Sequence, residues 1–310
     1  MNKNTKNGTL HTVFHIAAFS VFSEERLLFF TGFLAIYLIA VTGNLLIIYL
    51  VYLNSRLHTS MYFFLCNLSI LDVLYISSTL PKLLYIIYTG DRSVSYNVCL
   101  TQLYFFDFFA DTEPFLITSM AIDRYMAVCK PLHYSLIMNK RTCIILAVTA
   151  WCMAVVNALM LSWLVFSLSF NDSNQINNFF CDLKALLSVS CSDTTYIKSF
   201  ILAEFMCIGV VPLGLTLASY VSIIYTIVTI QYSEGRIKAF SSCSSHLCLV
   251  ILYYGSAFCL YMRNSEEGDL IFSLMFVVLV PFFNPLIYSL RNKDILSSLK
   301  RVLYCNKTMS

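Results

Sequence analysis

Five carboxylic acids stand inside stretches of sequence that are otherwise largely apolar: Asp72, Asp107, Asp111, Glu113 and Glu204. A carboxylate in an apolar interior is costly unless it is paired, and where it persists it usually serves a function. Asp107 and Asp111 are four residues apart, so on a helix they project from one face and repel each other. We expect one of them to keep its proton, or a cation to lie beside them.

The stretches that hold these acids are long enough to cross a lipid bilayer. Of the 310 residues, 58% are apolar and 12% charged, against roughly 25% charged in soluble domains. A helix needs ~20 mostly apolar residues to cross the hydrocarbon. Five stretches have no Asp, Glu, Lys or Arg: 27–55, 142–171, 205–233, 239–262 and 270–290. Two more apolar stretches, about 60–85 and 97–123, are interrupted by the acids. The sequence predicts an all-α membrane protein, a bundle of seven transmembrane helices.

Basic residues predict the orientation of this bundle. The side with the odd-numbered loops and the C-terminus carries twelve Lys and Arg against three acids, so it is expected to be cytoplasmic and the N-terminus extracellular. The predicted parts are an outer N-terminus over 1–26, the helix bundle over 27–290, and a cytoplasmic amphipathic helix and tail over 291–310. Sequons at Asn7 and Asn171 fall on the outer side, where glycans are added.

Short motifs along nearly the whole chain resemble one receptor family. They are Gly43-Asn44, LHTSMYFFLCNLSILD at 57–72, MAIDRYMAVC at 120–129, Ser219-Tyr220, KAFSSCSSHL at 238–247 and PFFNPLIYSLRN at 281–292. The Asp-Arg-Tyr and Asn-Pro-x-x-Tyr elements are typical of rhodopsin-like G-protein-coupled receptors in general. The other segments resemble the olfactory branch of that class in particular.

The resemblance implies a signalling switch at the cytoplasmic side, formed by Asp123, Arg124, Tyr125, Asn284, Pro285 and Tyr288. Arg124 would be held by a carboxylate at rest and freed on activation to meet the G protein. The alternative is an interfacial arginine that simply extends its charge towards water. Pro285 would leave a backbone carbonyl of helix 7 free and create a pivot.

By the same resemblance, helices 2 and 3 bring Asp72 and Glu113 together as a sodium site, with Asn44 and Asn284 as further polar partners. The alternative is that the two acids share one proton and bind no ion. No other cofactor or metal is expected.

The resemblance also implies a disulfide between Cys99, at the outer end of helix 3, and Cys181 in the second external loop, in an oxidising compartment. Asn171 stands where the family has the partner of Cys191. We therefore expect Cys191 to be a free thiol or to pair abnormally.

A ligand pocket is expected in the outer half of the bundle. Asp107, Asp111 and Glu204 have no Lys or Arg from a helix interior to neutralise them, which favours a cationic ligand such as a volatile amine. The alternative is a neutral volatile, with protonated acids donating hydrogen bonds between helices. The rest of the lining is expected to be apolar and aromatic, with Tyr254 as the residue that senses the ligand: Phe106, Ala110, Tyr253, Tyr254 and Phe258.

Two residues depart from the family's pattern: Ser60 stands where Pro is normal in the first internal loop, and Pro114 where Cys is usual in helix 3. Pro114 removes a backbone donor and is expected to kink the helix below Asp111.

The function that follows is an odorant receptor rather than an enzyme or a transporter. The histidines lie at termini, in loops or at a cytoplasmic helix end, which gives no catalytic constellation, and no inverted repeat is found. The expected partners are a small volatile ligand, membrane lipid and a stimulatory olfactory-type G protein that raises cyclic AMP, with no nucleic acid. The expected location is the plasma membrane of olfactory cilia.

Overall fold

The computed structural model describes residues 13–17, 25–170, 174–230, 233–261, 273–291 and 295–300. Over these ranges the chain forms seven long helices and a small sheet. The helices are α1 Arg26–Leu53, α2 Ser60–Thr89, α3 Tyr96–Cys129, α4 Lys140–Phe166, α5 Thr195–Thr229, α6 Ser233–Tyr261 and α7 over 273–291. The predicted fold class, a bundle of seven membrane-spanning helices, is confirmed.

Four helices are long and apolar enough to cross a membrane by length and composition alone: α1, α2, α4 and α5. In α6 and α7 the apolar parts are shorter, over Cys243–Cys259 and Met275–Tyr288. The central position of α3 explains its acids, since it packs against α2, α4, α5 and α6 and so buries polar groups on several sides. Large apolar side chains on the outer helices point away from the bundle, for example Leu45, Val148 and Val221.

Two helices contain a π-helical turn just before or around a proline. Phe205–Val210 precedes Pro212 in α5, and Met275–Leu279 precedes Pro281 in α7. Proline has no N–H to continue the ladder of hydrogen bonds, and a wider turn is one way to absorb the mismatch. Both turns lie in the outer part of their helices, beside the region where a ligand pocket is predicted.

A three-stranded sheet covers the outer end of the bundle, and the sequence did not predict it. β1 Val13–Ile16 lies between β2 Ser93–Ser95, which is antiparallel to it, and β3 Gln175–Ile176, which is parallel. Phe14 and Ile16 are buried while the residues before each are exposed, which is the two-residue period of a strand. The pattern is only four residues long and its partners are distant in sequence, so it carried no recognisable signal.

A further short helix follows α7, over 295–300. Ile295 is buried, Leu299 packs against the core, and Asn54 Nδ2 at the end of α1 donates to Ser298 Oγ at 2.7 Å. This agrees with the apolar face expected of the tail.

Gly43 provides a test of how α1 meets α7. A Cβ on Gly43 would lie 3.0 Å from Pro285 Cβ, whereas a Cβ on Gly32 of the same helix would meet nothing within 4 Å. We predict that Gly43→Val lowers the free energy of unfolding by about 1–3 kcal/mol, the usual cost of overpacking. Gly32→Val is the control, because its intrinsic helix preference is the same. Thermal unfolding in detergent checks this, and equal shifts in both variants would contradict it.

Candidate functional site

Three polar side chains from three helices meet in the outer half of the bundle. Asn157 Nδ2 of α4 donates to Asp111 Oδ2 of α3 and to Glu204 Oε1 of α5, each at 2.8 Å. Asp111 and Glu204 also lie within hydrogen-bonding reach of each other. Two carboxyl groups in that arrangement need a proton between them, while the two N–H groups of one amide serve one oxygen each. Asn157 was missed by the sequence analysis, because an asparagine in an apolar helix does not show which carboxyls it faces.

Asp107 lies one helical turn further out on α3. Only 8% of it is exposed, and its Oδ2 has no hydrogen-bond partner among the described residues. The charged groups that act on it are Asp111, Glu204 and Asp182, all of them acids. A buried acceptor surrounded by like charge is unfavourable unless it holds a proton or meets a cation.

Aromatic rings pack against each other at the same level of α3 as these acids. Phe106 lies 4.7 Å from Phe180 and 5.4 Å from Tyr75, between ring centroids, and Phe276 lies 5.6 Å from Tyr253. Phe180 precedes Cys181, whose disulfide to Cys99 confirms the predicted pairing and fixes the second external loop over this region. Gln102 strengthens that attachment, since its Oε1 accepts from the Cys181 backbone N–H at 3.0 Å.

The predicted lining residues do not all face inward. Tyr253 is buried, and Ala110 and Tyr254 are half-buried and pack against the core. Phe258, by contrast, is 63% exposed on the outer surface of α6. At about 3.6 residues per turn it lies about 140° around the helix from Tyr253, so the structure does not bring it to the site.

Three of the four predicted sodium residues lie close together at mid-depth: Asp72, Glu113 and Asn284. Asn284 Nδ2 donates to both oxygens of the buried Asp72, at 3.2 and 2.9 Å, and Glu113 lies within electrostatic range of Asp72. Three buried oxygens have no donor among the described residues: Glu113 Oε1, Asn44 Oδ1 and Asn284 Oδ1. Oxygens of this kind suit a hard cation. Within the described ranges no three His, Cys, Asp or Glu form a metal cluster, so an ion here would rest on two carboxyls and the amides.

Asn44 also completes the broken backbone of α7. Its Nδ2 donates to the carbonyl of Pro281 at 3.1 Å. In a regular helix that carbonyl would accept from the residue four positions later, which is Pro285 and has no N–H. The carbonyl that Pro285 was predicted to free is therefore bonded to α1.

At the C-terminal end of α3, Arg124 is paired with Asp123 at 3.0 Å, and only 14% of its side chain is exposed. Asp123 is fully buried, and its Oδ1 accepts from Ser60 Oγ at 2.5 Å and from the Tyr134 hydroxyl at 2.9 Å. Burial raises the pKa of Tyr134, so the hydroxyl keeps its proton and can donate. This geometry favours the paired arginine over one that only extends towards water.

The remaining switch residues lie on α7, from mid-depth towards its C-terminal end, and on α3 beside Arg124. Asn284, Pro285 and Tyr288 are buried on α7, and Tyr125 is half-buried with Lys130 Nζ 6.0 Å from the centre of its ring. The predicted glycosylation sites Asn7 and Asn171 lie outside the described residues. Cys191 lies in the second external loop, where its backbone N–H donates to Ser169 at 2.9 Å, and its pairing stays a prediction.

Tyr220 and His246 form a contact that the sequence analysis left without a role. Tyr220 OH lies 2.7 Å from His246 Nδ1, and His246 Nε2 lies 3.1 Å from the carbonyl of Ile117. A carbonyl can only accept, so Nε2 carries the hydrogen, and in a neutral ring Nδ1 then accepts from the Tyr220 hydroxyl, which also lies 3.3 Å from the carbonyl of Cys243. One neutral histidine thus connects α3, α5 and α6. A histidine inside an apolar helix was the available signal, but its partners lie on other helices.

Known proteins resemble this chain over almost all of its length. A family profile described as olfactory receptor matches residues 33–307. Olfactory receptor 1E16 of Mus musculus is 43% identical over 306 residues, covering 97% of each chain. Olfactory receptor 1J4 of Homo sapiens is 45% identical over 286 residues, covering 91% of each. The chain belongs to the olfactory receptor family.

Membership in the olfactory receptor family confirms the predicted class of function. The protein is a multi-pass membrane receptor for odorants that acts through G proteins and is not an enzyme.

Ser60 tests whether the Asp123 contacts hold the resting state. Ser60→Ala removes a donor to a buried carboxylate, and such bonds to charged groups contribute about 1.5–3 kcal/mol. We predict that ligand-independent nucleotide exchange on a co-expressed G protein rises by about tenfold, as Arg124 is held less firmly. Ser60→Thr, which keeps the hydroxyl, is the matched control and should behave like the unmodified receptor. A similar rise in both variants, or in neither, would show that the hydroxyl is not what matters.

Proposed function

We propose that this olfactory receptor detects a small volatile amine, which binds beside Asp107 in the outer half of the bundle. The observation that supports this most is the buried Asp107 oxygen, which has no hydrogen-bond partner among the described residues and has the acids Asp111, Glu204 and Asp182 around it. A protonated amine offers a positive charge and several N–H donors to such a group. The nearby rings of Phe106 and Phe180 would cover its apolar part.

The three acids would have two different roles. Asp111 and Glu204 already share Asn157, which supports the alternative reading of hydrogen bonds between helices for these two. Asp107 is the acid left to contact a ligand. A neutral alcohol or aldehyde accepting from a protonated Asp107 is the second candidate, since a protonated carboxyl has an O–H to donate.

Signalling would run from this site to the cytoplasmic end. An amine that binds one state of the bundle more tightly than the other shifts the equilibrium by that difference in affinity. We propose that the favoured state has α6 moved outward and Arg124 open to a stimulatory olfactory-type G protein, which raises cyclic AMP. A groove of about 410 Å³ beside the end of α3, lined by Lys130, Leu132 and His133 among others, with Leu132 92% exposed, supports docking there.

The orientation proposed is an extracellular N-terminus in the plasma membrane of olfactory cilia. Disulfides form in oxidising compartments, which supports an extracellular location for the end with Cys99–Cys181. β1 pairs with β2 and β3 at that same end. The apolar side chains exposed around the bundle would contact membrane lipid.

A sodium ion between Asp72 and Glu113, with Asn44 and Asn284 beside it, is proposed as an allosteric modulator. The buried oxygens without donors support it. Replacing NaCl by choline chloride at constant ionic strength should change basal signalling in the unmodified receptor and not in Asp72→Asn. An equal effect in both receptors would contradict a sodium ion at this site.

The ligand class is tested by matched panels of amines, alcohols, aldehydes and acids in cells that report cyclic AMP. Asp107→Asn should raise the half-maximal concentration of an active amine at least about tenfold, since a buried pair with a charge is lost. Responses to alcohols should stay unchanged. Asp91→Asn, an exposed outer acid, is the control for charge, and Arg124→Ala for signalling. Unchanged amine responses in Asp107→Asn would end the amine proposal while leaving an odorant receptor.

A further inference from the structure

Pro114 leaves a carbonyl of α3 without its helical donor. In an α-helix each N–H bonds to the carbonyl four residues earlier, and for residue 114 that carbonyl belongs to Ala110. Proline has no N–H, so the Ala110 carbonyl must find a donor elsewhere. The hydrocarbon of a membrane offers no water for this purpose.

Tyr253 supplies that donor from another helix. Its hydroxyl donates to the carbonyl of Ala110 at 3.1 Å, across 143 positions of sequence. The ring is buried and packs against Tyr254 at 5.1 Å and Phe276 at 5.6 Å between centroids. Its position is therefore fixed by packing, and the hydroxyl is held where the carbonyl is free.

The location of this bond connects the ligand region to the helix that responds. Ala110 lies between Asp107 and Asp111 on α3, in the same turn as the acids. A second bond from α6 reaches α3 at the carbonyl of Ile117, from His246 Nε2 at 3.1 Å, about two turns closer to the cytoplasm. Of the two, only the bond to Ala110 depends on a proline, and it is the one next to the ligand region.

We propose that Pro114, Ala110 and Tyr253 form a latch, a hydrogen bond between α3 and α6 that holds the receptor at rest and that ligand binding beside Asp107 weakens. Pro114 creates the acceptor and Tyr253 supplies the donor, so each is useful only with the other. The latch rests on this chain's own Pro114, since any other residue there would return the Ala110 carbonyl to a donor in its own helix. It does not depend on whether the ligand is an amine or a neutral volatile.

A double-mutant cycle separates a latch from a bond that only stabilises the fold. Pro114→Ala restores the N–H at residue 114, which returns the Ala110 carbonyl to its own helix and makes the Tyr253 hydroxyl dispensable. Tyr253→Phe removes the hydroxyl and keeps the ring. Four receptors are compared without ligand: the unmodified receptor, each single variant and the double variant. The result is therefore independent of the proposed ligand class.

The readout is ligand-independent GTPγS binding by a stimulatory G protein in membranes, normalised to receptor at the surface, with thermal unfolding measured in parallel. Tyr253→Phe should raise basal nucleotide exchange about fivefold, because the loss of one ordinary hydrogen bond shifts an equilibrium by about that factor. The same substitution in the Pro114→Ala background should have little effect. If Tyr253→Phe alone fails to reach the surface, rescue of its expression by Pro114→Ala supports the pairing of the two residues.

Three results would overturn the latch. One is a lowered unfolding temperature in Tyr253→Phe with unchanged basal exchange, which would make the bond structural only. Another is the same rise of basal exchange in both backgrounds, which would separate Tyr253 from Pro114. The third is failure of Pro114→Ala to rescue a Tyr253→Phe receptor that does not reach the surface.

Discussion

The absence of water in the hydrocarbon is the constraint on which the rest of this receptor depends, since the backbone carbonyls that its prolines leave without a helical donor must find a donor within the protein. The structure meets it by bonds between helices. Asn44 of α1 takes the carbonyl that Pro285 frees in α7, and Tyr253 of α6 takes the one that Pro114 frees in α3. Each carbonyl that a proline leaves without a helical donor thereby forms a hydrogen bond that fixes the relative position of two helices.

These contacts are placed at three depths along α3. The outer one is the acid and amide cluster around Asp111, the middle one holds Asp72 against Asn284, and the inner one holds Asp123 to Arg124, Ser60 and Tyr134. Because α3 takes part in or lies beside all three, a change at its outer end can bias the inner end. A ligand acts on such a system only through its different affinities for the two arrangements.

The helices could be predicted from long apolar runs, whereas the Cys99–Cys181 disulfide was implied by the resemblance of the motifs to the receptor family, and so was the Asp123–Arg124 switch, whose role stays a prediction. The sequence did not predict β1, which is four residues long, nor Asn157, whose partners lie on two other helices. The position of Phe258 was missed because apolar residues lie on all sides of α6. Their pattern therefore does not show which side faces inward, and the neighbouring helices decide it. The sequence marks Ser60 and Pro114 as departures from the family's pattern. Only the structure shows that Ser60 donates to Asp123 and that the carbonyl freed by Pro114 accepts from Tyr253.

The central claim, that a ligand in the outer half favours a state with α6 moved away from Arg124, is tested most directly by a distance measurement. Spin labels at Leu136→Cys and Phe240→Cys, two exposed positions at the cytoplasmic side, would be introduced after replacing the other exposed cysteines with serine. Electron–electron resonance in nanodiscs should show one short distance without ligand and a growing longer population with an active odorant. An odorant that raises G-protein activity yet leaves the distance distribution unchanged would contradict the account.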